Sequence, residues 1–523
     1  MEMNSHLARK ILPLLLEPVL DPPGHVWQGH HVTNPTVFRP SFDTRVHLGY
    51  RAGGDRDHYC IGETDVWGSS LGLAILDAEG AYVVCRFPWP ILWIDRPDPL
   101  PQDPGQVPAF QAAHGQDIVV LHDFRLFEWS GFIHVVYHDG RIDRAFDCVR
   151  RMETARYARL VAESERLAAH PPREIHGAWR ALWHDAWEPC GQNGRLVYPT
   201  DNHKNDIVFL ETAKGLRMLH RPLPDIATVA VDGIRGAVTP DGETDLGVLE
   251  SCVRPGYFDN SHIGPNGQPI PARIGSRNVF LDISHGVHNA ALAREGPFAW
   301  EMTYLPYLRI LDAEDGTVLY HSQEPILETD ETWREYSEQG RWVRLLPHRH
   351  IVFAGGLTPR HPGRIGMDDP FVLYAGVGDT AIGQAEFTIR DLVPSNVLEA
   401  IQVLDRHRAH PSAFPEREAD LGAASGWRFV IRNLSEHRGL AIERTLERNG
   451  QVLSALRPIP TAPGRFDADG MLLWAGSAWP VREAEFGLLV PYLGLRWREA
   501  DGQPATECGF GLLVLDPDNP ERI

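Results

Sequence analysis

Asp123 and Arg125 stand two residues apart in "LHDFRLFEWSGFIHVVYHDG", the run from Leu121 to Gly140. The run otherwise reads as two short strands joined by a tight Ser-Gly turn. A carboxyl group there can give or take a proton, and a guanidinium beside it can hold that carboxyl or an anion. Similar polar residues recur where other strand-like runs begin or end. Asn34 and Arg51 bracket "VTNPTVF" and "RVHLGYRAGG", and Arg141 and Arg144 lie in "YHDGRIDRAF". Lys204 and Asp206 open "HKNDIVFLE", His285 and His288 lie in "ISHGVHN", and Tyr374 and Asp379 lie in "YAGVGDTAIGQA". Taken singly, each is ordinary. An Asp-x-Arg pair commonly forms a local ion pair, Lys204 suits a solvated loop, Tyr374 suits packing, and Arg51 with Asp206 could brace neighbouring sheets. The ordered set is what points to one shared site.

The elements that must carry these residues are mostly strands. Between about residues 30 and 395, runs such as "SLGLAILDAEG", "AYVVCRF", "NDIVFLE", "NVFLDISHG" and "FVLYAGVGDT" alternate with turn signals. The chain's 48 Gly, 42 Pro, 15 Trp, 13 Tyr and 20 Phe suit an all-β protein with aromatic-lined clefts. The clearest helix is "METARYARLVAESERLAAH", 152–170, whose apolar residues recur at helical spacing and predict packing. "LAILDAEG" at 73–80 echoes "LRILDAEDG" at 308–316, each a strand followed by an acidic-Gly turn. Repeated units of this kind predict sheets arranged radially, as in a β-propeller. There the starts of the inner strands converge on one funnel. The character then changes: 396–424 reads as a helix and linker, and 425–523 as an accessory β-sandwich-like domain. Residues 1–29 read as an N-terminal extension.

Bulk properties exclude several functions. With 50 Lys and Arg against 70 Asp and Glu, the net charge of −20 argues against general nucleic-acid binding but leaves room for a local cationic pocket. The six cysteines show no Cys-x-x-Cys spacing, so no zinc or redox motif is expected, and their scatter suits free thiols. "GHH" at 29–31 and "HRH" at 348–350 read as loop residues rather than metal ligands. "ILPLLLEPVL" imitates a signal-peptide core but is broken by Pro13, Glu17 and Pro18. No run approaches the roughly 20 apolar residues of a membrane span. The expectation is a cytoplasmic protein without a membrane partner.

The ordered set resembles glycoside hydrolase family 130, the β-mannoside phosphorylases and related mannosidases. Asn34-Pro35 and "GYRA" at 49–52 are similar to the family's opening motif, and "SSLGLAILDAEG" to its next strand and turn. "HDFR" at 122–125 aligns with a Glu-Asp-Pro-Arg motif, with His122 for Glu and Phe124 for Pro. "YHDGRIDR", "KNDIVFLETAKGLRMLHRP", "HIGPNGQPIPARIG", His285-Gly286-Val287 and the segments 307–328 and 374–387 follow in the family's order. The resemblance spans roughly 30–395. Insertions around 93–117, 152–200 and 225–260 interrupt it.

The resemblance implies a five-bladed β-propeller and an enzyme that cleaves β-mannosides with inversion. Asp123 would be the catalytic acid, passing its proton to the glycosidic oxygen through a sugar hydroxyl. Arg144, Lys204 and His285 would hold inorganic phosphate, the co-substrate, and no cofactor or metal is required. Asn34, Arg51, Arg125, Asp206 and Asp379 would bind the sugar. Trp67, Trp93 and Trp129 are further candidates for stacking on sugars. Phosphorolysis would give α-mannose 1-phosphate. A β-mannosidase would need a second carboxylate as base, for which Glu211 is the sequence's candidate. A non-catalytic glycan-binding propeller is the third reading. A homo-oligomer, built through the C-terminal domain, is compatible with all three.

Overall fold

A computed structural model describes residues 12–15, 31–53, 58–61, 64–67, 70–93, 120–140, 145–169, 179, 182–190, 206–221, 226–231, 234, 245–250, 258–259, 261–289, 302–322, 324–328, 351–378, 381–395, 397–398 and 401–402, and C-terminal strands between 418 and 515. Strand β1 (Leu12–Leu15) comes first. The first blade is β2 (His31–Phe38), β3 (His47–Gly53), β6 (Ser70–Leu76) and β7 (Val83–Arg86), with a separate hairpin of β4 (His58–Ile61) and β5 (Thr64–Trp67) inserted. The second is β8 (Val120–Trp129), β9 (Phe132–Gly140), β10 (Ala145–Glu153) and β11 (Glu188–Pro189). The third is β12 (Val208–Thr212), β13 (Gly215–His220), β14 (Ile226–Ala230) and β15 (Asp245–Glu250). In the fourth, β16 (His262–Pro265) and β17 (Ile270–Ile274) share β18 (Arg277–Asn289), followed by β19 (Met302–Asp312) and β20 (Val318–His321). The fifth is β21 (Val352–Pro359), β22 (Phe371–Val377) and β23 (Ala381–Phe387), and β1 supplies its outermost strand.

These five antiparallel sheets form a five-bladed β-propeller. The stretch that imitated a signal-peptide core thus contributes a strand of the ring. Each blade is a meander whose first strand lies innermost, and β2 touches both β8 and β21. The core lies in the layers between blades. Phe124 and Leu126 of β8 face Leu71, Leu73 and Ile75 of the first blade, while Phe127 faces Phe209 and Met218 of the third. The two-residue side-chain period of a strand sends successive residues into successive layers.

Local expectations are met at several points. The turn between β8 and β9 is Ser130-Gly131 with φ of 52° and 79°, the two-residue hairpin turn that matches strand twist. The helix α1 spans Thr154–Ala169. It packs against the blade-one/blade-two layer, where Tyr157, Leu160 and Val161 are buried with Trp179, Trp183 and Trp187. The echoing segments occupy equivalent places, each ending the third strand of its blade: β6 in the first and β19 in the fourth. Their turns close on Gly80 (φ 71°) and Gly316 (φ 75°), and acidic side chains cap the turn amides, as Asp77 Oδ1 does for Ala81 N at 2.6 Å. Cys85 is a half-buried thiol, and Cys148 and Cys190 are buried.

Beyond the propeller lie two further antiparallel sheets. One is β24 (Glu418–Ala424), β25 (Trp427–Leu434), β26 (Gly439–Arg448) and β27 (Gln451–Pro458). The other is β28 (Gly470–Leu473), β29 (Val481–Glu483), β30 (Gly487–Ala500) and β31 (Gln503–Leu515). They touch where β28 meets β25 and β26. Among the described residues, no helix is long and apolar enough to cross a membrane.

Candidate active site

The inner strands of three successive blades present their functional residues by one device. Asn34, Asp123 and Asp206 have φ of 45°, 49° and 49°, in the left-handed region that Asn and Asp tolerate best among non-glycine residues. In β2 the register slips between Thr33 and Thr36, and in β8 between His122 and Arg125. Such a bulge rotates the extra residue out of the ladder and re-aims its side chain. Asp206 stands just before β12. Carboxyl and amide groups are thereby turned towards the channel instead of into the layers between blades.

Asn34 Nδ2 donates to Asp123 Oδ1 at 2.5 Å, and both residues are buried. Arg125, also buried, is fixed from four sides. Its Nη1 donates to Asp123 O at 2.8 Å, and its Nε donates to Asn266 O at 2.6 Å. Its Nη2 reaches Pro265 O and Asp206 Oδ1, both at 3.1 Å. Burial lowers the Arg125 pKa, and the Asp206 charge opposes that shift. A guanidinium nevertheless stays protonated in proteins. Arg221 Nη1 lies 2.9 Å from the other Asp206 oxygen, Oδ2. One carboxylate therefore serves two guanidinium groups.

His285 completes the cluster from β18. Its Nδ1 meets Asn266 Oδ1 in a very short hydrogen bond, which calls for the proton on Nδ1. Its Nε2 then faces Arg221 Nη1 at 3.4 Å and Asp206 Oδ2 at 4.0 Å. Gly264 pairs with His285 across β16 and β18. A Cβ at Gly264 would lie 2.6 Å from His285 Cε1 and 3.0 Å from Arg221 Cδ, so the absent side chain makes room for both groups. The rings of Tyr304 and Phe353 flank His285 at 5.7 and 5.3 Å.

The structure therefore brings together Asn34, Asp123, Arg125, Asp206 and His285. Arg51 is half-buried on β3, in register with Thr33 beside Asn34. Arg144, Lys204 and Asp379 lie outside the described residues. Tyr374 packs as expected: it is buried, and its hydroxyl donates to Gly80 O at 2.7 Å. Glu211 is exposed within β12, five residues beyond Asp206, which is roughly 16 Å along an extended strand. Trp93 packs beside the blade-one/blade-two layer and Trp129 beside the blade-two/blade-three layer. Sequence reasoning did not single out Arg221 or Asn266. Both stand beside a proline in segments that were otherwise noted, "LHRP" and "GPNGQP". A polar residue at a strand end was the available signal.

No family model matches the chain, and no curated protein matches it. Solved structures do. A β-1,2-mannobiose phosphorylase from Listeria innocua is similar at 16% identity, with 73% of this chain and 98% of that one covered and a TM-score of 0.45. A glycosyl hydrolase from Bacteroides ovatus is similar at 14% identity, covering 73% and 94%, with a TM-score of 0.45. A third structure, from the GH130 family of mannoside phosphorylases described as containing hydrolases that target β-1,2 mannosidic linkages in Candida mannan, is similar at 14% identity, covering 74% and 96%, with a TM-score of 0.46.

Proposed function

We propose that this protein is a carbohydrate-active enzyme that cleaves β-mannosides by inverting phosphorolysis. The observation that carries the reading is the composition of the buried cluster. Asp123 is turned into the channel beside Asn34 and Arg125, and Arg125 and Arg221 share the carboxylate of Asp206, with His285 Nε2 at 4.0 Å from it. The planar donors of arginine suit phosphate oxygens. Arg144 and Lys204 extend the same anion site in this reading. Phosphate attacks the anomeric carbon as the glycosidic C–O bond breaks on the opposite face. Asp123 supplies the proton that ends on the leaving sugar's oxygen, and a proton from dihydrogen phosphate restores the acid. Asn34, Arg51 and Asp379 bind the sugar.

Hydrolysis is the weaker reading. It asks for a second carboxylate about 6.5–9.5 Å from the acid to activate water. Glu211 points away from that role by its position, and Asp206 is held by two arginines.

The test is product analysis with a panel of β-mannosides, with and without inorganic phosphate. Mannose 1-phosphate formed only with phosphate, and lost in Asp123→Asn by at least ~100-fold, is the expected result. Free mannose formed regardless of phosphate would instead identify a hydrolase, and unchanged turnover in Asp123→Asn would remove that residue's assignment.

A further inference from the structure

Two residues that the proposed reaction leaves unused, Trp129 and Glu211, line one cavity of about 510 Å³. Its walls come from the C-terminal parts of β2, β8, β12 and β21 and from the start of β17, whereas Asn34, Asp123 and Asp206 stand at or near the starts of β2, β8 and β12. The cavity therefore sits at the opposite end of the channel from Asp123. A short segment, 265–269, divides the two compartments. On the catalytic side, Pro265 O and Asn266 O hold Arg125. On the other side, the Gln268 side chain brackets the Phe209 backbone, accepting from its N at 3.0 Å and donating to its O at 2.8 Å. Gly267 packs so closely on β21 that a Cβ there would lie 2.6 Å from Gly355 O.

We propose that this rear cavity binds a neutral saccharide of about two rings. Its size falls within the roughly 300–1,000 Å³ of small-ligand sites. Its charged lining residues balance, with Arg39 and Arg364 against Glu128 and Glu211, so the site has no net attraction for an ion. A wholly apolar ligand would strip water from these groups without replacing its hydrogen bonds. Hydroxyl groups replace them. Glu211 is exposed and offers acceptors. Arg364 is exposed, spends Nη1 on Asn278 Oδ1 at 2.6 Å, and offers its other guanidinium donors to hydroxyl oxygens. Trp129, half-buried, supplies a flat apolar face for the C–H face of a pyranose. This site goes beyond the reaction at Asp123, and its occupancy is read without turnover.

The experiment is calorimetric titration of the full chain with mannose, mannobiose and cellobiose in phosphate-free buffer. It is done in wild type, Asp123→Asn, Glu211→Ala, Trp129→Ala and the double variant Asp123→Asn/Glu211→Ala. Saccharide binding that persists in Asp123→Asn, and weakens at least tenfold in Asp123→Asn/Glu211→Ala, supports the rear site. Glu211→Ala alone should leave turnover of small β-mannosides unchanged. Trp129 packs against the core, so the exposed Glu211 variant keeps the test independent of folding. Binding unaffected by both substitutions, or no saccharide binding in Asp123→Asn, overturns the proposal. Failure of the phosphorolysis reading appears separately, as missing sugar phosphate in the product assay.

Discussion

At Asp123 and Asp206, two aspartates adopt the same left-handed backbone and do different work. Asp123 accepts from a neutral amide, Asn34, whereas Asp206 balances two buried arginines. Asparagine fits the backbone at both positions, so the two Asn variants separate charge from conformation. Asp123→Asn keeps an acceptor for Asn34 and should hold its Tm within ~2 °C of wild type while losing turnover. Asp206→Asn leaves Arg125 and Arg221 short of their counter-charge. Removing one partner of a buried ion pair costs about 3–5 kcal/mol, so thermal melts should show a clear fall in that variant. Equal melting temperatures would show that Asp206 does not carry the cluster's charge balance. Asp123, Asp206 and His285 were legible because each interrupts an apolar run. Arg221 and Asn266 were not, because only the folded blades bring them to His285.

The β8–β9 hairpin shows how an element balances site and core. Its bulge turns Asp123 towards the channel, and beyond the bulge the alternation resumes, sending Leu126 and Phe127 into different layers. His134 pairs with Phe127 across the hairpin and stacks on it at 5.3 Å. Burial pushes the His134 pKa down from 6.5 to about 4, and burial takes His220 on β13 to about 3. The unfolded chain therefore takes up these protons near pH 6.5, and the folded chain only near pH 4 and below. Stability should be fully present above about pH 6.5 and decline as acid is added towards pH 4. His134→Phe should flatten that decline in Tm series at pH 7, 5.5 and 4.5. A parallel curve for the variant would place the acid sensitivity elsewhere. The hairpin and its turn were readable from Ser130-Gly131; the bulge was visible only as misplaced polarity.

For the whole molecule, closure of the ring is the decisive event. Blade five meets the β6–β7 turn of blade one through three side chains that donate to successive carbonyls. Arg360 reaches Glu79 O at 3.0 Å, Tyr374 reaches Gly80 O at 2.7 Å, and Gln384 reaches Ala81 O at 2.9 Å. β1 then pairs with β23 and covers the edge of the fifth sheet. An uncovered edge offers unpaired backbone groups to other chains. Deleting residues 1–20 should lower Tm by ~5 °C or more and promote association on warming. Differential scanning calorimetry with light scattering measures both, and a truncated chain that melts like wild type would show β1 to be dispensable.

By itself, the sequence determined the repeating strands, the acidic-Gly turns of equivalent blades, the helix at 154–169 and the polar residues at strand starts. These are local signals, carried by alternation, turn chemistry and the spacing of apolar residues. Tertiary structure decided what those residues meet. It used Leu12–Leu15 as a blade strand, put Glu211 at the far end of the channel, and set Arg221 and Asn266 against His285. The reason is geometric: a radial array joins residues by their height along the channel, and that height depends on register and bulges across blades that are distant in sequence.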